Sequence, residues 1–433
     1  MCGSTNKESG RCNGVDLVQW QPGMELTCNY KRWVYHPVHL SDCLGDRGQY
    51  KVLNKLGHGY STVWLCRVLD AEPTQYVAVK ILTAEQLHTN REKEISKRIQ
   101  QAAQEDSILV DYCGVLLDQF EIDGPNGIHA CFVYPVGGPS INDLFTVVEE
   151  PEQYFREVAR QAVEVIGALH RHGICHGNLC PENFLLSLDG LNGIPEDQLR
   201  NNLLGHPTKV NVVVCEGYSP GPSAPKYLVV DIKELYYCSS ATDPLRPKNL
   251  RLVGFGSAFT VSDPKNYSDI PVAYAAPELL LEDKCGVASD MWALACMIFY
   301  IRMGEHLFPS WPGDTDLALA TLVDHLGRLP DLLWAAWENR AEYCEDELDA
   351  NGNVIWADDI TGANDPPSTI RERLEKDQHG GVMRQDGKER SRHLSEQEMD
   401  LLSDLLHMML KYDLNERPTA EQVLQHPWFS FGL

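Results

Sequence analysis

The sequence predicts an α+β protein of two lobes, a small antiparallel sheet followed by a larger helical body. Two observations carry this. Between Tyr50 and Leu82 the chain runs YKVLNKL, TVWLCRV and YVAVKIL, short stretches rich in β-branched and aromatic residues, separated by Gly or polar turns. Such runs read as three antiparallel strands. From Ser140 onward apolar residues instead recur at helical spacing. Phe155, Val158, Ala162, Val165 and Leu169 share one face, and Leu402, Leu405, Leu406, Met409 and Leu410 repeat the pattern near the end.

Residues 1–48 are polar and read as an irregular extension. The sheet lobe spans 49–136. After its first three strands, a helix with an acidic and basic surface is expected over Asn90 to Gln104. Two further strands follow, VDYCGVLLDQFEI and GIHACFVYPV, joined across the turn DGPNG. The helical lobe, 137–433, is interrupted twice. Near 188–249 the segment YSPGPSAPKY implies an irregular loop, and near 313–392 the chain is charged and turn-rich.

The chain has 433 residues, 43% hydrophobic and 23% charged, enough for a sizeable core. Its 37 Lys and Arg against 62 Asp and Glu give a formal charge of −25, which argues against a nucleic-acid partner and mildly for basic ones, although acidic surfaces mostly serve solubility. The longest apolar run, WALACMIFYI from Trp292 to Ile301, is too short to cross a bilayer and reads as a buried helix. The opening MCGSTNKESG carries no signal-peptide pattern and no Met-Gly start. No membrane attachment is therefore expected, and the protein is expected to be intracellular, cytoplasmic or nuclear. The 14 cysteines form no C-x-x-C pair and fit reduced, buried thiols.

One constellation carries chemistry. LGHGYSTVWL joins the first two strands, and Gly57 and Gly59 would let backbone N–H groups approach phosphates while Val63 covers an adenine. VAVK places Lys80 on the third strand, where it could hold α- and β-phosphates. Flanked by Val77, Val79 and Ile81, it is expected to point into a cleft. Glu94, in the following helix, could pair with Lys80 and fix its position. That pair marks either a nucleotide pocket or an ion pair that merely holds the helix.

Further on come His176-Gly-Asn-Leu-Cys-Pro-Glu-Asn183, Gly254-Phe-Gly256, Ala276-Pro-Glu278, Asp290-Met-Trp292, and Arg417 in NERPTAEQVLQHPWF. In order, spacing and placement the series resembles a eukaryotic protein kinase from about Tyr50 to the C-terminus. YHPVHLSD…GDRGQYKVLNKLGHGYSTVWL is similar to the SR-protein kinases, particularly the short fungal members. The resemblance implies the bilobal protein-kinase fold, ATP and magnesium as cofactors, and arginine-serine-rich protein substrates. It also gives His176, Asp290 and a Glu278–Arg417 pair supporting roles in the helical lobe.

The chain departs from the family at the residues that do the chemistry. In H-R-D-L-K-P-E-N the Asp accepts the substrate proton and the Lys steadies the phosphate; here those positions hold Asn178 and Cys180. An amide takes no proton at neutral pH, and losing such a base costs on the order of a hundred- to ten-thousand-fold in rate. The D-F-G Asp, a magnesium ligand, is Gly254. Asn183 matches the other metal ligand, but one neutral oxygen is a poor site for a hard dication. Asp189 and Asp231 are conceivable substitutes, although neither occupies a matching position. The glycine loop is one residue short, with Tyr60 and Ser61 on the aromatic and third-glycine positions. Gly177 replaces the motif arginine, which the SR-protein kinases also lack.

Three readings stay open, and the lost chemistry favours the first. The first is a pseudokinase serving as a binding or regulatory module, and the second an active but unorthodox ATP-dependent serine/threonine kinase of basic, Arg/Ser-rich substrates. The third is a decaying duplicate without a selected role. ELDANGNVIWAD, Glu347 to Asp358, approximates a calcium loop but lacks its first Asp and last Glu, and reads better as a hairpin.

Overall fold

The computed structural model describes residues 15–17, 21–143, 152–201 except 189, 206–214, 221–232, 249–357 except 266–268, 310, 312, 351 and 353, 369–377, 382–383, 389–390 and 392–432. The chain divides into two units, each assembled from three segments.

The first unit comprises 1–90, 114–139 and 187–248. Its N-terminal strands are β1 (Val15–Leu17), β2 (Cys43–Leu44), β3 (Tyr50–His58), β4 (Ser61–Val68) and β5 (Gln75–Leu82), followed by β6 (Asp118–Gly124) and β7 (Gly127–Pro135). Strands β2 to β7 form one antiparallel sheet in the order β2-β3-β4-β5-β7-β6. The period of two puts alternate residues on opposite faces, and both faces are apolar. Trp64 and Cys66 pack with Val52, Val77, Val79, Cys131 and Val133 on one side. Leu65 packs with Leu53, Tyr76 and Val136 on the other.

The segment near 188–249 differs from its expectation. Its strands Lys209–Val214 and Tyr227–Val229 pair with each other, and the first also pairs with β1. Leu188, Leu191, Leu199 and Ile232 cover the Leu65 face of the sheet, and Val229 joins the opposite face. The segment therefore folds with the sheet and not with the helices, because the sheet's second apolar face needs a cover. The extension is likewise not wholly irregular: Met24, Tyr30 and Tyr35 form a cluster with Val210 and Leu228.

The second unit comprises 91–113, 140–186 and 249–433. Helix α1 (Glu92–Ala102) appears within its expected span. The start of VDYCGVLLDQFEI, however, lies in helix α2 (Ser107–Tyr112), not a strand. Asp106 caps α2 by accepting from the Ile108 N–H at 3.1 Å, a local hydrogen bond that outweighs the β-branched composition. Helix α3 (Glu152–Arg171) buries the predicted face, with Phe155, Val158, Ala162, Val165 and Leu169 inaccessible. It packs against α4 (Val287–Met303), which contains WALACMIFYI and is buried from Asp290 to Met303. Leu402, Leu405, Leu406 and Met409 line the inner face of α5 (Glu396–Met409), also as expected. Arg417 holds Glu278 through two parallel bonds of 2.7 and 2.8 Å. The calcium-like segment is a hairpin, Cys344–Leu348 against Val354–Trp356. No helix among the described residues is long and apolar enough to cross a membrane.

Candidate functional site

Gly57, Gly59, Val63 and Lys80 lie in the first unit; Glu94, Asn178, Cys180, Asn183 and Gly254 lie in the second.

In the first unit, sheet register aligns three of the four in a single row. Gly57 stands opposite Val63, and Val63 opposite Lys80. Directly opposed residues share a face, so the Val63 and Lys80 side chains project from the same side of the sheet, beside a strand position with no side chain. A Cβ added at Gly57 or Gly59 would meet nothing within 4 Å, so packing does not demand glycine at either place. The β3–β4 ladder continues to His58 opposite Thr62, leaving a turn of only Gly59, Tyr60 and Ser61, in line with the shortened loop. Tyr35 from the extension donates its hydroxyl to the Gly59 carbonyl, and His58 Nδ1 lies 2.7 Å from Asp231 Oδ2.

Beneath this hairpin lies a cluster that sequence reasoning missed. Lys55 of β3 is fully buried, with its ammonium on Glu25 and 3.2 Å from Asp231 Oδ1. Tyr30 donates its hydroxyl to Glu25. Burial pushes the Lys55 pKa down, against the opposing pull of Asp231. Asp231 is thus engaged by Lys55 and His58 within the first unit, while Asp189 lies outside the described residues.

In the second unit, α1 turns Glu92, Ile95, Ser96, Ile99 and Ala102 inward. Glu94 is not on that face. Its side chain is 50% exposed, 3.1 Å from Arg98 and 3.9 Å from Arg91. The buried carboxylate of this helix is Glu92, at 1% exposure. Its position three, four and seven residues before Ile95, Ser96 and Ile99 was the available signal.

The loop from His176 to Asn183 is anchored on Asp290, which accepts the N–H groups of His176 at 2.7 Å and Gly177 at 2.9 Å and lies 3.0 Å from His170 Nε2. Burial pushes the Asp290 carboxyl upward, but the His170 bond and neighbouring histidines bring it below the usual range. Burial lowers the His176 pKa, and the neutral ring donates from Nε2 to the Val253 carbonyl at 2.9 Å while Nδ1 accepts the Asn178 N–H at 3.3 Å. Gly177 has φ +71°, and a Cβ there would stand 2.8 Å from the Ser257 carbonyl oxygen, so the arginine position is closed to side chains by the backbone.

Asn178 Oδ1 is buried without a hydrogen-bond partner among the described residues. Cys180 is buried, and burial raises its thiol pKa far above the ordinary value, so the lysine position holds a neutral group. Asn183 Nδ2 donates to the Asn178 carbonyl at 2.8 Å and to Cys180 Sγ at 3.4 Å. Gly254 has φ +85°, and a Cβ there would fall 2.0 Å from Asn183 Oδ1. At the positions of the family's base and metal ligands the loop therefore offers amide oxygens and no carboxylate, its one acid, Glu182, accepting instead from Asn142 at 2.8 Å, and the place of a ligand at 254 is already filled. Magnesium, which requires near-octahedral oxygen ligands that usually include carboxylates, does not fit this donor set. Among described residues, His170, Cys175 and Asp290 also lie together, but Asp290 is committed to the backbone bonds given above.

This two-part architecture is that of the protein kinases. Residues 242–429 match the protein kinase domain family. A solved kinase-domain crystal structure superposes with a TM-score of 0.59, covering 91% of this chain and 98% of its own at 17% identity. The chain thus has the protein-kinase fold. Its relatives include the serine/threonine-protein kinase SRPK of Physarum polycephalum, 26% identical over 94% of this chain and 91% of the relative. SKY1 of Saccharomyces cerevisiae is 31% identical over 38% of this chain and 23% of its own length. The spk-1 kinase of Caenorhabditis elegans is 32% identical over 37% and 16%.

Proposed function

We propose that this chain is a kinase-fold protein whose phosphoryl transfer is lost or strongly impaired, and that it acts as a binding or regulatory module. The carrying observation is the Asn183 amide seated against Gly254, where the family resemblance places metal ligands. Asn178, with no proton-accepting group, supports the same reading. The Gly57, Val63 and Lys80 row supports a retained affinity for an adenine nucleotide, since the glycines face open space that packing does not explain. The charge of −25 and the likeness to SRPK support a basic, Arg/Ser-rich protein partner. A second reading, an active kinase that works by positioning alone, is favoured by the same strand row, because phosphoryl transfer through a loose transition state asks little of a base.

The deciding experiment is transfer of labelled γ-phosphate from Mg-ATP to an arginine-serine repeat peptide, run with the wild type, Lys80→Ala and an Asn178→Asp, Gly254→Asp double variant. No transfer by the wild type is expected. Transfer that disappears in Lys80→Ala would establish the second reading instead.

A further inference from the structure

We infer that Asn183 works as a latch and not as a ligand. Its amide closes the catalytic loop on itself and fills the space in front of Gly254, so that the missing carboxylate, the thiol at 180 and the Asn183 rotamer form one coupled change that shuts divalent cations out. This deepens the impaired-enzyme reading and rests on it.

The contacts carry the argument in sequence. Nδ2 is tethered at two points within the loop, to the Asn178 carbonyl at 2.8 Å and Cys180 Sγ at 3.4 Å. The Asn183 carbonyl accepts the Val253 N–H at 2.9 Å, tying the loop to the residue before Gly254. With the amide held at its nitrogen, Oδ1 rests 2.0 Å from the Cβ position of residue 254. Swinging the side chain aside would break both tethers, and each donor would then need another acceptor.

Backbone strain does not by itself exclude an aspartate at φ +85°, because Asp and Asn tolerate the left-handed region better than other side chains. Occupied space opposes it, because the Asn183 amide would have to give up both tethers to admit one. Cys180 matters for a related reason: a thiol sulfur accepts a weak hydrogen bond, whereas a lysine ammonium has no acceptor to offer. The exchange at 180 thus supplies the second tether, and the exchange at 254 makes room for the oxygen. Both act on the same side chain.

The test is a double-mutant cycle on the full chain with Gly254→Ala, Asn183→Ala and the pair, read as thermal midpoints. Gly254→Ala is expected to lower the midpoint by several degrees in the native background and by less than half as much beside Asn183→Ala. Equal losses in the two backgrounds overturn the latch and assign the glycine to its backbone conformation alone. If Gly254→Ala is insoluble, recovery of soluble protein in the double variant shows the same coupling, and failure of both overturns it.

Two readouts on Asn183→Ala are independent of that variant. Amide exchange over 178–183 is expected to speed up about tenfold or more, and unchanged exchange counts against the latch. Manganese uptake, followed by water-proton relaxation, is expected to match the wild type; a site lost with Asn183 would mean that it is a ligand after all. The outcomes separate from the transfer assay. Additivity in the cycle would sink the latch and leave the impaired-enzyme reading standing, whereas phosphate transfer by the wild type would remove that reading itself.

Discussion

Cys180 and Glu92 show how far a residue's setting outweighs its place in a motif. The Cys180 thiol is buried and held protonated, so iodoacetamide at neutral pH should leave it unmodified in the folded protein and label it after denaturation, as read by peptide mass spectrometry. Labelling of the native state would mean that the loop opens. The two acidic residues of α1 should behave oppositely under substitution. Glu94→Gln removes only exposed pairs and should change stability by no more than about 0.5 kcal/mol. Glu92→Gln should cost on the order of 1–3 kcal/mol, because a buried carboxylate is replaced by an amide that cannot reproduce its interactions. Chemical denaturation of both variants measures the contrast. Motif spacing favoured Glu94, whereas the buried face of α1 carries Glu92, a distinction encoded in helical phase. The substitutions at 178, 180 and 254 were legible in the sequence as chemistry removed. That they share contacts with Asn183 was not, since a rotamer leaves no trace in residue order.

At the level of elements, strand composition and helical phase located the sheet, α3 and α5, because their apolar faces are wide and regular. Helix α2 escaped because its capping hydrogen bond is worth more than its β-branched residues suggest. The support beneath β3 escaped because its members are distant in sequence. Lys55→Ala should destabilise the protein by about 3–5 kcal/mol, since it leaves the buried Glu25 without a cation and takes from Asp231 one of its two partners. A urea midpoint shift tests this, and a near-neutral result would show that the acids neutralise instead. His36, where the extension passes β7, gives a second handle. Burial, with His129 and His39 nearby, lowers its pKa from 6.5 to about 4. Between those values the unfolded chain takes up a proton that the folded chain refuses, so stability should be full above about pH 6.5 and fall as the pH drops towards 4. Urea midpoints between pH 7.5 and 4.5 should decline in the wild type, and less in His36→Gln.

Over the whole chain, the charge of −25 predicts that binding of an arginine-rich peptide weakens steadily with added salt. Calorimetry at two ionic strengths would show it, and a salt-independent affinity would point to a partner of another kind. The division of the chain was only partly legible. The strands were visible in their β-branched and aromatic composition, yet nothing local in 188–249 announces that its leucines cover one face of the sheet. Its Pro, Ser and Gly density describes a turn-rich stretch correctly and says nothing about what lies against it. The Lys55 cluster draws together the N-terminal arm, the first long strand of the sheet and that insertion. These three pieces must therefore descend as a set: a lineage that discards the arm has to replace the lysine, and one that shortens the insertion past Asp231 loses a partner the lysine needs. Covariation among positions 25, 55 and 231, more than sequence identity along the motifs, would mark the descendants that keep this architecture.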